Sequence, residues 1–267
     1  VAETVESYAI GAIDRHEVLR YLGYTGQELT RELDARIDGV VARALAVARP
    51  RGCVAVFDVD EDASELPANG PDASEGARPL VAGSNDPANA GRAPQEGLPV
   101  IRLRGTTLEL LGNSIAEQLA GARAVGVMAV TIGMGFEREL RRLSLTDSVA
   151  QVILDSCGST IVERAADAAE ASLMARARER GLYTNSRFSP GYGDLPMDTQ
   201  SALLASLNAT RHLGISLTST LLMTPTKSVT ALVGMFETPQ PSGHRSCKGC
   251  LCFDFCNIRP TGRTCRD

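Results

Sequence analysis

Arg187-Phe188-Ser189-Pro190-Gly191-Tyr192-Gly193-Asp194 packs an arginine, a proline–glycine turn and an aromatic ring into one short stretch between two helical patterns. Arg187 offers a planar fork that matches a carboxylate, and Tyr192 offers a ring face with a polar tip. Pro190 fixes one backbone angle and Gly191 permits a positive one, so main-chain amides and carbonyls can approach a ligand with no side chain in between. The same residues also make an ordinary turn ahead of a helix, and the octapeptide alone leaves both readings open. Upstream, Glu163 and Glu170 are seven residues apart, so two helical turns put both carboxylates on one face. Asp14, ahead of a helical pattern, reads as a helix N-cap.

A second group of chemistry-bearing residues lies at the end of the chain. Five of the seven cysteines fall there, as Cys247-x2-Cys250-x-Cys252-x3-Cys256-x8-Cys265. In a reducing compartment such clustering favours a metal site over disulfides. The spacing is close to a ferredoxin run but one residue short between the second and third cysteines, while four thiolates also suit tetrahedral zinc. Cys247, Cys250, Cys252 and Cys256 are therefore the metal candidates, with an iron–sulfur cluster, zinc or no metal all left open.

These residues need elements to position them. Apolar residues at Val18, Leu19 and Leu22, and again at Leu33, Ile37, Val40, Val41 and Leu45, predict helix from Val5 to about Arg49, where Pro50 stops it. Cys53 to Phe57 reads as a strand. From Asp60 to about Leu98 the chain turns to Ala, Gly, Pro, Asp, Glu and Ser, a composition that cannot offset its ordering entropy and predicts a partly disordered surface insertion. Ile101 to Leu103 then reads as a strand, Gly112 to Gly121 as a helix, Val125 to Ile132 as a buried strand, and Glu137 to Leu143 and Val149 to about Arg180 as helices. After the Arg187 loop, Asp198 to about His212 reads as one helix with Asp198 as N-cap and Gly214 past its end. Ile215 to Met223 and Ser228 to Phe236 read as two strands in a hairpin-like pair. Helices around a mainly antiparallel twisted sheet make the class α+β. The expected organisation is one domain over 1–240, with the insertion at about 60–98, and a cysteine-rich tail over 241–267.

Composition limits the function. The 267 residues are 43% hydrophobic, enough for one substantial core. No run of 18 apolar residues occurs, and no basic-then-apolar signal segment opens the chain, so the expectation is a cytoplasmic protein without a membrane span. A net charge of -5 with scattered cations argues against a nucleic-acid partner. Aromatics at 4% and the absence of Trp argue against base stacking. Thr131-Ile132-Gly133-Met134-Gly135 follows a strand and precedes a helix, but Arg138 stands where a dinucleotide loop needs its third glycine, so tight strand–helix packing is expected. Asp14-Arg15-His16 has the start of an Asp-x-His-x-x-Gly cobalamin signature, yet Leu19 holds the glycine position. With only His16, His212 and His244, a catalytic triad or a multi-histidine zinc site is not expected.

Arg-x-x-x-Gly-Tyr at Arg187 to Tyr192, with Pro196 a turn later, resembles the S-adenosylmethionine loop of the activation domain of cobalamin-dependent methionine synthase. Gln200, Gly214-Ile215-Ser216-Leu217-Thr218 and Pro225-Thr226-Lys227-Ser228-Val229 extend the likeness, as do Glu17 to Tyr24, Leu108 to Leu119, Thr131-Ile132-Gly133 and Gly158 to Glu163. Apart from the insertion, the resemblance covers roughly Ala9 to Met235 and is closest to the short, stand-alone relatives of that domain.

The resemblance implies a reactivation protein that binds S-adenosylmethionine and serves a partner corrinoid protein, a methionine synthase lacking its own activation domain. Cobalamin is held by the partner, and an electron donor such as flavodoxin or ferredoxin supplies the reducing electron. It implies that Arg187 grips the methionine carboxylate, that Glu163 and Asp14 hold the ammonium with Glu170 in reserve, and that Ser189, Gly191 and Tyr192 contact the adenosyl part. No side chain need act as acid or base. Short relatives often end in a cysteine-rich tail, which the fused domain lacks. Two other readings stay open: a redox or scaffold partner that carries a cluster without binding S-adenosylmethionine, and service to a different corrinoid methyltransferase.

Overall fold

The computed structural model describes residues 3–24, 26–65 and 97–240. The five tail cysteines, and residues 66–96 of the expected insertion, lie outside the described residues. The chain order is β1 (Thr4–Ser7), α1 (Arg15–Tyr21), α2 (Arg31–Val47), β2 (Arg51–Asp58), β3 (Val100–Arg102), β4 (Glu109–Leu111), α3 (Asn113–Gln118), β5 (Ala124–Thr131), α4 (Met134–Thr146), α5 (Ser148–Glu179), β6 (Tyr183–Thr184), α6 (Thr199–Ser206), α7 (Ala209–Leu213), β7 (Ser216–Leu217), β8 (Met223–Thr224) and β9 (Ser228–Phe236).

Five strands form one antiparallel sheet in the order β1-β2-β5-β9-β6. Its central strand, β5, is buried along its whole length, because side chains alternate between two covered faces. On one face Val54, Met128, Val130, Ala231 and Val233 pack against the apolar sides of α1, α2, α4 and α5. On the other, Cys53, Ala55, Val125, Val127 and Leu232 pack against β3, β4, α3, α6 and α7. The α+β class and the mainly antiparallel sheet are thus as the sequence implies. Among the described residues no helix is long and apolar enough to cross a membrane.

Four expectations need correction. The first segment is not one helix: Thr4–Ser7 pairs with β2 as an edge strand, and α1 and α2 are separate. Gly23, with φ 75°, ends the first, and the Thr30 hydroxyl, accepting from the Leu33 amide, starts the second. The helix expected from Asp198 to His212 is broken at Asn208, which takes a left-handed φ of 47°, and Asp198 makes no side-chain cap. Ser216–Leu217 pairs with Met223–Thr224, whereas β9 lies between β5 and β6, so the expected hairpin does not form. The insertion begins later than Asp60, because the Ser64 hydroxyl accepts from the Arg102 amide and Glu65 exchanges main-chain hydrogen bonds with Val100 at 2.8 and 2.9 Å. The Gly133–Gly135 turn packs the start of α4 against the end of α2, where a Cβ on Gly135 would lie 3.4 Å from the Val47 carbonyl oxygen.

Candidate functional site

The site is built from one face of α5 and the loop that follows β6. Helix α5 is 32 residues long, with small and apolar residues such as Ile161, Ala165, Ala166, Ala169 and Leu173 turned inward. Its opposite face carries Glu163, Asp167 and Glu170, at the i, i+4, i+7 spacing that aligns side chains along a helix. Gly181 closes the helix, and the chain returns beside β9. Two anchors then hold the loop to the sheet. Asn185 accepts from the Gly234 amide at 2.8 Å and donates to the Gln118 carbonyl at 2.6 Å, and Phe188 exchanges main-chain hydrogen bonds with Leu232 at 2.9 and 2.7 Å.

Arg187, between these anchors, reaches back to the acidic face of α5. Its Nη1 donates to Asp167 Oδ1 at 2.8 Å and lies 3.5 Å from Glu170 Oε2, and its Nη2 donates to Glu163 Oε2 at 3.3 Å. The Arg187 side chain is 20% exposed and that of Asp167 59% exposed, so the cluster opens to solvent on the Asp167 side. Burial pushes the Glu163 carboxyl above its ordinary range; Arg187 pulls it down, and the Asp167 charge pushes it further up.

The rest of the loop makes a rigid rim. The Gly191 amide donates to the Leu195 carbonyl at 2.9 Å, and the Tyr192 amide to the Ser189 carbonyl at 3.1 Å. Gly191 has φ 88°, a backbone conformation that side chains strain, which favours glycine; a Cβ there would also fall 2.7 Å from the flexible end of Met197. Tyr192 is exposed, its ring tilted against Phe188 at 6.2 Å. Asp194 is a positioning residue that sequence reasoning missed. Its carboxylate accepts from the Asn113 amide at 2.8 Å and the Ser114 amide at 2.9 Å, the first turn of α3. Burial opposes ionisation there, but these donors hold its pKa below the ordinary value. Gly112 lets the two come together, since a Cβ would sit 2.6 Å from Asp194 Oδ1. Asp194 caps a helix 80 positions earlier, so no local spacing announces it.

The structure brings Arg187, Glu163 and Glu170 into one cluster and adds Asp167. Ser189, Gly191 and Tyr192 follow on the adjoining turn. Asp14 caps α1, its carboxylate accepting from the His16 amide at 2.8 Å, and no hydrogen bond or ion pair joins it to Arg187 or Glu163 among the described residues. It lines a cavity of about 470 Å³ with Ala9 to Ile13 and Arg164, which Arg187 does not reach. At the other end of α1, Arg20 and Tyr21 adjoin Glu163. The candidate metal ligands Cys247, Cys250, Cys252 and Cys256 lie outside the described residues, among which no group of acidic, histidine or cysteine side chains is placed to hold a metal.

A guanidinium facing several carboxylates is complementary to the zwitterionic head of a free amino acid, and a polar, open rim beside it suits a ligand with a larger, flat remainder.

The profile of the family described as vitamin B12 dependent methionine synthase, activation domain, matches residues 109–242. That stretch holds α5, the Arg187 loop and β9, and leaves Asp14 outside. The whole chain is similar in fold to a crystal structure of the MetH reactivation domain bound to AdoHcy, at a TM-score of 0.53 and 15% identity, over 99% of this chain and 87% of that one. No curated protein matches.

Proposed function

Because this chain belongs to the family of vitamin B12 dependent methionine synthase activation domains, we propose that it binds S-adenosylmethionine and supports reductive remethylation of cob(II)alamin on a partner methionine synthase. The observation that carries this reading is the Arg187 cluster, in which one guanidinium and three acids meet at a rigid glycine-containing rim. The residues fit the ligand's head group: Arg187 takes the α-carboxylate, releasing Asp167, and Glu163, with Glu170 beside it, takes the ammonium. Ser189, Gly191 and Tyr192 provide main-chain groups and a ring for the adenosyl part. Asp14 joins only if the ligand bridges from Arg187 to the other end of α1.

When bound, S-adenosylmethionine supplies a methyl group on a sulfonium, and the partner supplies cobalamin. On the partner, one electron from a reduced flavodoxin or ferredoxin and the sulfonium's methyl, transferred as a cation while the C–S bonding pair stays on S-adenosylhomocysteine, would together convert cob(II)alamin to methylcobalamin. This chain contributes orientation: it fixes the head group and holds the donor at a site open to a second protein. Tyr192 and Met197 are large groups left exposed beside the Arg187 loop, where a docking corrin would cover them. The tail cysteines, with an iron–sulfur cluster, would serve electron delivery; with zinc, tail structure; and with no metal, neither.

Titration of the purified chain with S-adenosylmethionine by calorimetry tests the reading. Saturable one-to-one binding is expected. A chain that folds, retains its metal content and takes up no S-adenosylmethionine would instead be a scaffold or cluster carrier.

A further inference from the structure

A cavity of about 300 Å³ lies where β1 leaves the sheet, and no residue of the Arg187 cluster lines it. Ile10, Leu45 and Ile161 give it an apolar lining, Tyr8 adds a ring, and Arg49 and Arg51 bring charge. The Tyr8 ring lies over Gly52, where a Cβ would fall 2.5 Å from its hydroxyl, and that hydroxyl donates to Glu6 at 3.1 Å, so this wall is held in place. Arg49 is held as well: its Nη1 donates to the Ala46 and Ala48 carbonyls at 2.8 and 2.7 Å, at the open end of α2. Its remaining nitrogens, and the whole of the exposed Arg51 guanidinium, meet no acceptor among the described residues. No acid lines the cavity.

Guanidinium charge without an acid partner, set beside apolar side chains, is complementary to an anion that carries a hydrocarbon body. We propose that this cavity binds a small monocarboxylate with a branched apolar body, independently of the Arg187 site. The planar head of such an acid matches the guanidinium fork, and its hydrocarbon covers Ile10, Leu45 and Ile161. The volume equals that of about ten waters, so an acid of about eight heavy atoms fills it. An ammonium group would find no carboxylate here, so a free amino acid binds less well than the same acid without its amino group. The Arg187 cluster, with three acids around its guanidinium, has the opposite character.

The cavity adjoins both segments that frame the site already described. Ile161 precedes Glu163 by two residues on α5, and Ile10 also lines the cavity that holds Asp14. An occupant thus adds packing between α5, the end of α2 and the chain leaving β1 without touching Arg187. Its binding should raise the melting temperature in step with its concentration.

The test is calorimetry of the full chain with isocaproate, isocaproamide, leucine and inorganic phosphate, for the wild type, Arg51→Gln, Arg49→Gln and Arg187→Ala. The wild type should bind isocaproate saturably and about tenfold or more tightly than its neutral amide, leucine or phosphate. Arg51→Gln and Arg49→Gln should each weaken isocaproate about three- to tenfold, and Arg187→Ala should leave it unchanged. Arg49 also caps α2, so a melting curve accompanies its variant; if that variant does not fold, Arg51→Gln decides. No saturable uptake of isocaproate, equal affinity for any of the other three probes, or unchanged affinity in both arginine variants would overturn the proposal. Loss of binding in Arg187→Ala would overturn it too, by placing the acid at Arg187. Because the two sites are separate, failure of the chain to bind S-adenosylmethionine would leave this inference standing.

Discussion

Arg187 is held by carboxylates of its own chain, so the proposed ligand would exchange partners there and not fill an empty hole. A charge-assisted hydrogen bond of this kind contributes about 1.5 to 3 kcal/mol, so Arg187→Ala should weaken S-adenosylmethionine binding by that amount, read by calorimetry. Unchanged affinity would remove the carboxylate role from Arg187. Much of this cluster was legible in the sequence. Arg187 stood out because a cation, a proline and glycines crowd one turn, and Glu163 and Glu170 because seven residues are two helical turns. Asp167 lies on the same face, four positions after Glu163, and its role was hidden because nothing in a helical repeat says which acids a distant arginine will choose. Asp194 was hidden for the same reason, its donors at Asn113 and Ser114 being remote in sequence.

At the scale of elements, α2 and α4, both packed against the site-bearing helix α5, are tied together by ion pairs around a buried acid. Glu139 of α4 accepts from Arg142 at 2.9 Å on its own helix and from Arg43 of α2, and these donors hold its pKa at about 2, below the ordinary 4.5. A depressed carboxyl contributes stability that is present above about pH 4.5 and is lost as pH falls toward about 2. Glu139→Gln should therefore lower the urea midpoint at neutral pH, and the gap from wild type should close over that acid range. A gap that stayed constant with pH would show that the pairing with Arg43 and Arg142 does not set the acid limb. The insertion makes a second test. Glu65 and Val100 already face each other through two hydrogen bonds, so removing residues 66–96 and joining the ends by a short turn should leave melting temperature and ligand affinity nearly unchanged. Loss of either would mean that this stretch is part of the site. The long helices and the buried β5 were readable from periodicity and length. The edge strand β1 was not, because four residues of alternating exposure sit inside a longer helix-like pattern.

For the whole molecule, the antiparallel sheet was foreseeable as a class, but its strand order was not. The pairing of β5 with β9 joins residues about a hundred positions apart, across two helices on one face and two on the other, and only the closing of both cores selects it. The same pairing delivers the site, since β9 anchors the Phe188 and Asn185 ends of the Arg187 loop. In the proposed function, this assembly presents a methyl donor to a cofactor on another protein. The direct measurement is remethylation itself. A cobalamin-dependent methionine synthase without its own activation domain, in the cob(II)alamin state, is mixed with this chain, S-adenosylmethionine and reduced flavodoxin or ferredoxin, and the methylcobalamin absorption is followed. The account predicts conversion that requires both S-adenosylmethionine and this chain and that fails with Arg187→Ala. A partner that stays as cob(II)alamin, although the chain binds S-adenosylmethionine and the donor is reduced, would contradict it.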